Sequence, residues 1–302
     1  YPISFESLHM KILLIGKTGQ IGGELNSIAG DLGSLVTLER EQMDLSKPNS
    51  IEPAILEIQP DIIINAAAYT AVDKAEDEPE LAMAINGVAP GIMAKAAKKV
   101  GAGLVHYSTD YVFDGHSDKP YREEDSPSPM SVYGKSKLAG EKAIIEAEIP
   151  HLILRTSWVY SLHGKSFLKT IKKLSIEKDT LRIVDDQIGS PTWARSIALA
   201  THKILGRCLN KEWLKKPNPS LTGIFHLTCQ GNTSWHGFAK EIIKLSEENL
   251  NTKLIPIPTS EYPTPAARPP YSVLCNEKVK NIFDIEMPHW LNAMKVCLNK
   301  KD

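Results

Sequence analysis

Cysteine is scarce in this chain and none of it is arranged for chemistry. The four residues, Cys208, Cys229, Cys275 and Cys297, form no CxxC pair and no zinc-ligand spacing, and all fall in the C-terminal third. Scattered thiols of this kind fit a reducing compartment better than a disulfide framework. No run approaches the ~20 apolar residues that a membrane span needs. The first nine residues, YPISFESLH, have neither the basic start nor the apolar core of a signal peptide. They read as a tag remnant ahead of a native start at Met10, and the protein is expected in the cytoplasm, with no membrane partner. Charge of one sign is also missing: 35 Lys and Arg balance 36 Asp and Glu, for a net charge of -1. That leaves no basic excess for a nucleic-acid partner and no acidic tail. There is no internal repeat and no low-complexity segment.

What remains is ordinary globular composition, 42% hydrophobic and 24% charged over 302 residues, enough for one large domain or two modest ones. Short apolar runs at Lys11–Ile15, Leu35–Leu38, Asp61–Ile64, Gly103–Tyr107 and Leu152–Leu154 read as strands. Helical spacing fills the gaps, at Gln20–Ala29, Ile51–Ile58, Leu81–Val100 and Ser131–Glu148. This alternation implies βαβ units and an α/β fold built on a doubly wound parallel sheet. Gly16, Asn65 and Ser108 fall at strand ends, where such sheets hold ligands. After Leu154 the rhythm loosens. Helices are expected near Phe167–Ile176, Trp193–Leu205, Trp235–Leu245 and His289–Leu298, with a loop at Lys215–Ser220. The division read from this is a dinucleotide-binding domain over 10–155 and a smaller, mainly substrate-binding α/β domain over 156–302. Parts of the latter, about 181–205 and 224–240, are expected to return to the core of the first, with Ile224–Leu227 the segment that rejoins its sheet.

Gly16, Gly19 and Gly22 follow the first strand and open a helix. Glycines there permit a tight turn and close backbone approach to a pyrophosphate, and the helix start offers free N–H groups to the anion. The second strand ends at Glu39-Arg40. An acid at this place binds an adenine ribose and favours NAD, whereas an adjacent arginine suits a 2′-phosphate and NADP, so NADPH and NADH both remain open. Asp44-Leu45 follows where adenine is usually cradled, although Asp44 also suits the approach to a helix at Pro48.

Tyr133 and Lys137 lie four residues apart at a helix start and share a face. Carbonyl reduction needs a proton delivered with the hydride. A phenol supplies it when a neighbouring ammonium stabilises its anion. Ser108-Thr109 ends the preceding strand, so a hydroxyl there can bind the substrate carbonyl, or simply make a turn.

These motifs resemble the extended short-chain dehydrogenase/reductase family. Within it, Asn65–Glu76, Ser108–Gly115, Arg155–Tyr160, Asp186–Thr192 and Ala267–Ser272 resemble the dTDP-4-dehydrorhamnose reductases. The resemblance spans Met10 to about Leu298. It implies a Rossmann-type cofactor domain and hydride transfer from NAD(P)H to the C4 keto group of dTDP-4-dehydro-L-rhamnose, with a small-molecule dTDP-sugar as partner. It further implies Tyr133 as proton donor, Lys137 as its tuning group and ribose ligand, and Thr109 as the hydroxyl that polarises the carbonyl. Gly16, Gly19, Gln20, Ile21 and Gly22 would hold pyrophosphate. Ala66, Ala67 and Tyr69 would line the cofactor groove. Asp110, Trp158, Gln187, Gly189 and Arg268 would contact substrate, though Trp158 could be core and Arg268 could serve an ion pair. Lys17-Thr18 departs from the small or amide residues frequent in this loop. Some relatives dimerise through magnesium held by acidic clusters. Met287–Asp302 has no such cluster, so no metal is expected, and a homodimer stays open. Two alternatives remain: another sugar-nucleotide reductase or epimerase, and a non-catalytic regulatory subunit of methionine adenosyltransferase on the same fold.

Overall fold

Strands apolar on both faces belong in the middle of a sheet that is covered on both sides, and four strands here meet that description. They are β1 (Met10–Ile15), β3 (Ile62–Asn65), β4 (Gly103–Thr109) and β5 (His151–Thr156), each almost wholly buried. The computed structural model describes residues 10–208, 213–214, 220–246 and 252–299. The nine leading residues and most of the expected loop at Lys215–Ser220 lie outside them. The half-buried β2 (Gly33–Thr37) closes one edge. The six-stranded sheet runs Gly223–His226, β5, β4, β3, β1, β2, with every pairing parallel. The chain leaves β1 for β2 on one side and returns to β3 on the other, so the strand order reverses beside β1 and opens a crevice at the carboxyl ends.

Alternate residues of each strand point to opposite faces. Ile12 and Leu14 pack with Val105, Leu154, Phe225, Ile197 and Ile204 on one side. Leu13 and Ile15 pack with Ile55, Met93, Leu104, Ile144 and Ile153 on the other. The second face is covered by α2 (Ile51–Ile58), α4 (Ala89–Val100) and α5 (Val132–Glu146). The first is covered by α1 (Gln20–Asn26) and by α7 (Ala194–Cys208). The helix expected over Leu81–Val100 is interrupted. A short α3 (Pro79–Met83) passes through a π turn at Ala84–Val88 before α4 begins. Inside that turn Asn86 faces inward: its amide donates to the Tyr69 carbonyl and to Ser136 Oγ, and its Oδ1 accepts from the Tyr69 N–H.

The C-terminal half is divided between two cores. Gly223–His226 pairs with β5, and α7 packs on the sheet with Val279, Phe283 and Met287. Thr180–Val184 instead pairs with Lys253–Ile257, apart from the main sheet. The helix Trp235–Leu245 joins α6 (Phe167–Glu177) and Trp290–Asn299 in a third cluster around Tyr160, Trp193 and Phe238. That cluster forms a smaller lobe, and the stretch 224–240 leaves the main sheet after His226, with Thr233–Ser234 pairing instead with Ile188–Gly189.

Between α5 and β5 lies a buried ion pair. Arg155 Nε and Nη2 donate to the two oxygens of Glu141 at 2.9 and 2.7 Å, with both side chains 1% exposed. The Arg155 guanidinium also lies over the Phe113 ring, 5.1 Å from its centroid. Removing one partner of such a pair strands a buried charge, so Glu141→Leu is expected to cost about 3–5 kcal/mol. Glu141→Leu combined with Arg155→Met should recover most of that loss. Urea unfolding checks this, and equal losses in the single and double variants would refute it.

Candidate active site

The groove at the end of β1 is lined by backbone because its glycines leave no alternative. Gly16 sits at φ +87°, a region that favours glycine. A Cβ on Gly22 would fall 2.0 Å from the Gly16 carbonyl oxygen, and one on Gly16 would fall 2.7 Å from Ala67 N. The Gly19 N–H donates to Gly16 O at 3.0 Å, closing the turn. No side chain caps the first turn of α1. Gln20 donates to the Val159 carbonyl, while its Oε1 is buried with no partner. Ile21 packs against the first core. A backbone cradle that a Cβ would fill, with a buried amide oxygen beside it, fits a dinucleotide pyrophosphate.

At the end of β2, Glu39 does not stand alone. Lys17 Nζ lies 2.5 Å from its Oε1 and donates to Thr37 Oγ1 at 3.3 Å. The departure noted in the glycine loop therefore places a cation where an adenine ribose would lie, a role that loop position alone did not signal. Arg40 is exposed, with Nε 3.5 Å from Asp44 Oδ2. Asp44 accepts from Ser46 Oγ and Ser46 N, and these bonds hold its carboxyl below the usual range. Leu45 is buried beside it. Past β3, Ala66 and Ala67 are half-buried along the groove. The Tyr69 hydroxyl is turned to Glu78 Oε2 at 2.7 Å.

The proton-handling groups come from β4 and α5. Ser131 caps α5, accepting from the Gly134 N–H. A Cβ on Gly134 would fall 2.3 Å from the Tyr111 carbonyl oxygen, so the first turn of α5 lies against the chain leaving β4. Tyr133 packs edge-on to Tyr111, centroids 5.7 Å apart. Burial pushes its phenol up to about 12, opposed by a hydrogen bond with the Thr109 side chain. Thr109 Oγ1 also donates to Asp110 Oδ1 at 3.0 Å. Asp110 is 2% exposed and its Oδ2 has no partner. Burial raises its carboxyl to about 6, against the pull of hydrogen bonds from Ser272 and Thr109. Ser108 is not at this junction: its hydroxyl donates to Glu141 Oε1 at 2.5 Å and serves the buried ion pair. Lys137 is 1% exposed. Its Nζ donates to the Tyr107 carbonyl at 2.6 Å and lies 3.2 Å from His106 Nε2. Burial pushes this ammonium down to about 8, opposed by Glu141.

The smaller lobe faces this junction with less freedom than its sequence suggests. Trp158 adopts φ +46°, a left-handed conformation rare for a bulky residue. Its indole stacks on Trp235 at 3.5 Å with the planes 6° apart. A Cβ on Gly189 would strike that ring at 2.4 Å. Gln187 is held at both ends, accepting from Trp235 Nε1 and donating to Thr259 Oγ1. Arg268 forms a bidentate pair with Asp73, at 3.0 and 2.8 Å, and donates to Thr264 Oγ1 and the Ala266 carbonyl. Asp73 and Trp235 thus hold two of the candidate residues, although no pattern assigned either a role. Among the described residues no cluster of His, Cys, Asp and Glu could hold a metal.

Known proteins match this chain along nearly its whole length. Residues 10–302 match the family described as RmlD substrate binding domain. A dTDP-4-dehydrorhamnose reductase of Burkholderia thailandensis is 44% identical over 96% of this chain and 98% of its own length. Among solved structures, a dTDP-4-dehydrorhamnose reductase of Clostridium acetobutylicum is 36% identical with a TM-score of 0.87, covering 96% of this chain and 99% of its own. That of Bacillus anthracis, in complex with NADP, is 34% identical with the same TM-score and coverage. Near-complete coverage in both directions joins the glycine groove, the Tyr133–Lys137 helix and the Trp158 lobe in one homologous unit, and the chain belongs to the RmlD family of dTDP-4-dehydrorhamnose reductases.

Proposed function

We propose that this enzyme reduces the C4 keto group of dTDP-4-dehydro-L-rhamnose to dTDP-L-rhamnose, using NADPH or NADH. The observation that carries the reading is the meeting of Tyr133 and Thr109 beside the glycine groove, with Lys137 one turn along the same helix face. The bound dinucleotide supplies the hydride. Tyr133, kept protonated by its raised pKa, donates its proton to the carbonyl oxygen as the alcohol forms. Thr109 hydrogen-bonds the same oxygen and orients it. The Lys137 ammonium stabilises the phenolate left on Tyr133 and hydrogen-bonds the nicotinamide ribose. Gly16, Gly19, Gln20, Ile21 and Gly22 hold the pyrophosphate, Ala66, Ala67 and Tyr69 line the groove, and Asp44 and Leu45 border the adenine. Lys17 and Arg40 provide positive charge for a 2′-phosphate, whereas Glu39 serves a free ribose, so the pocket accepts both cofactors.

Trp158, backed by Gly189 and Trp235, packs on the sugar, and Gln187 holds that aromatic pair in place. Asp110 binds a sugar hydroxyl with its unpartnered oxygen. Arg268 exchanges Asp73 for the substrate diphosphate, a bidentate trade its planar fork suits. The scattered thiols Cys208, Cys229 and Cys275 support a cytosolic location. Exposed apolar side chains at Leu81, Met83, Val88 and Ile145 support self-association as a homodimer.

Turnover is followed as NADPH absorbance lost on adding dTDP-4-dehydrorhamnose, and stoichiometric consumption separates a reductase from an epimerase that recycles its cofactor. Tyr133→Phe is expected to lower kcat by ~10²–10⁴-fold with cofactor affinity nearly intact. Near-normal turnover in that variant would remove Tyr133 from the mechanism. Lys137 must be charged to support the phenolate and is charged below its pKa, so kcat/KM should fall as pH rises through about 8. A profile flat across that range contradicts the role. Lys17→Ala should weaken NADPH about tenfold relative to NADH, the loss of one charge-assisted contact. Equal losses for both cofactors would show that Lys17 does not read the 2′-phosphate.

A further inference from the structure

His106 is a buried titratable group that the reaction above does not use. It lies beside Asn65 in the register of β3 and β4 and is 1% exposed. Its Nδ1 is 3.1 Å from Asn65 Nδ2 and its Nε2 is 3.2 Å from Lys137 Nζ. The Asn65 amide has one orientation available, because its Oδ1 accepts from the Ala67 N–H at 3.2 Å. Nδ2 is then the atom turned to His106, and an amide nitrogen only donates. His106 Nδ1 must accept, so in a neutral ring the proton sits on Nε2 and points at Lys137. Burial keeps the imidazole neutral.

An Nε2–H facing an ammonium would oppose donor to donor. The contact closes only when Nζ offers a lone pair, as a neutral amine that still donates to the Tyr107 carbonyl. Glu141 opposes this from a distance, but among the described residues Nζ has only His106 and the Tyr107 carbonyl within hydrogen-bond reach. Glu141, one turn further along α5, is clamped by Arg155 of β5 and by Ser108 of β4. Tyr133, one turn earlier, is itself protonated. These, with His106, are the titratable and charged groups that face Lys137.

We propose that His106, oriented by Asn65, is a positioning residue that makes Lys137 a hydrogen-bond acceptor in the cofactor-free protein, so that the lysine takes up a proton when the dinucleotide binds. The proton comes from solvent and occupies the Nζ lone pair. Ribose hydroxyls offer the ammonium acceptors that His106 denies it, and the dinucleotide brings negative charge. The Asn65–Ala67 contact ties this switch to the wall of the cofactor groove, since Ala67 N is the atom nearest to where a Cβ on Gly16 would fall. The inference rests on Lys137 being the lysine of the catalytic pair.

Two measurements test it. The first is the nitrogen NMR of ¹⁵N-histidine-labelled full-length protein without cofactor at about pH 8.5, with His106 assigned by its loss in His106→Gln. At this pH the neutral lysine predominates, given its value near 8. The Nε2–H tautomer is expected, and an Nδ1–H tautomer or a doubly protonated ring overturns the proposal. This readout needs no turnover, so it stands or falls apart from the enzymatic reading.

The second is calorimetry of NADPH binding at about pH 8 in two buffers of different ionisation enthalpy. Uptake of on the order of half a proton is expected. In the isosteric Asn65→Asp the donor to His106 becomes an acceptor, which turns the ring to Nδ1–H and presents the Nε2 lone pair to an ammonium, as in a carboxylate–histidine pair. Proton uptake should then fall to near zero, and the basic limb of kcat/KM should move up by about one pH unit. Buffer-independent binding enthalpy in the unmodified protein, or unchanged uptake in Asn65→Asp, overturns the coupling.

Discussion

The site depends on one close approach, the first turn of α5 against the chain leaving β4. Gly134 makes it possible, since any side chain there would strike the Tyr111 carbonyl. Once the helix is seated, its residues at four-residue spacing face β4. Tyr133 reaches Thr109, Lys137 reaches His106 and the Tyr107 carbonyl, and Glu141 reaches Ser108. Strand alternation completes the match. His106 and Ser108 share the α5 face of β4 with Leu104, while Tyr107 turns to the opposite face and hydrogen-bonds Thr201 of α7. A helix normally buries an apolar stripe against a sheet. This one also carries a polar stripe, burying Lys137 and Glu141 and half-burying Tyr133, and buried polar groups need partners.

The three members meet that requirement differently, and the difference separates structure from chemistry. Glu141 is satisfied within the fold by Arg155 and Ser108, a closed arrangement that holds helix to strand and leaves the carboxylate nothing further to bind. Lys137 has a carbonyl and an imidazole but no counter-charge of its own, and burial lowers its pKa toward the working range. Tyr133 has one hydroxyl neighbour, and burial disfavours its anion. A buried group short of partners is poised to gain stabilisation from a ligand that supplies them. Reactivity along the stripe therefore rises toward the end of α5 that borders the groove, and the stabilising ion pair sits where it can stiffen the helix without entering the reaction.

Much of this was legible in the sequence, for reasons that can be traced to particular residues. Strands buried on both faces announce themselves as uninterrupted aliphatic runs, so β1, β3, β4 and β5 lie where the pattern predicts them to within a residue or two. Tyr133 and Lys137 carry a helical spacing, and the three glycines carry a loop. The π turn at Ala84–Val88 holds Asn86 and Gly87, both poor helix formers, but the helical period on either side of it masks the break, and the contacts of Asn86 with Tyr69 and Ser136 are not local in sequence. His106 reads as one more residue of a strand, since the direction of its neighbours' hydrogen bonds is not a sequence property. Asp73, Trp235 and Lys17 owe their places to partners 195, 77 and 20–22 residues away, contacts no local pattern encodes.

The two sides of the cleft are prepared to different degrees. On the cofactor side the groove is backbone, fixed by glycines whose missing side chains cannot be replaced without collision, so little rearrangement stands between this structure and a bound dinucleotide. On the proposed substrate side two of the polar groups are already engaged. Arg268 holds Asp73, and Gln187 holds Trp235 and Thr259. A diphosphate that takes Arg268 must displace an existing charge-assisted pair, so only the difference between two good interactions appears as affinity. That arrangement favours discrimination over tightness. A ligand lacking the diphosphate has nothing to offer Arg268 in exchange, and the loop from Thr264 to Arg268 stays clasped to Asp73. The backbone of Trp158 works in the same sense: the stack on Trp235 and the absent side chain of Gly189 keep its indole in one pose, so a sugar bound as proposed would be tested against a rigid aromatic face.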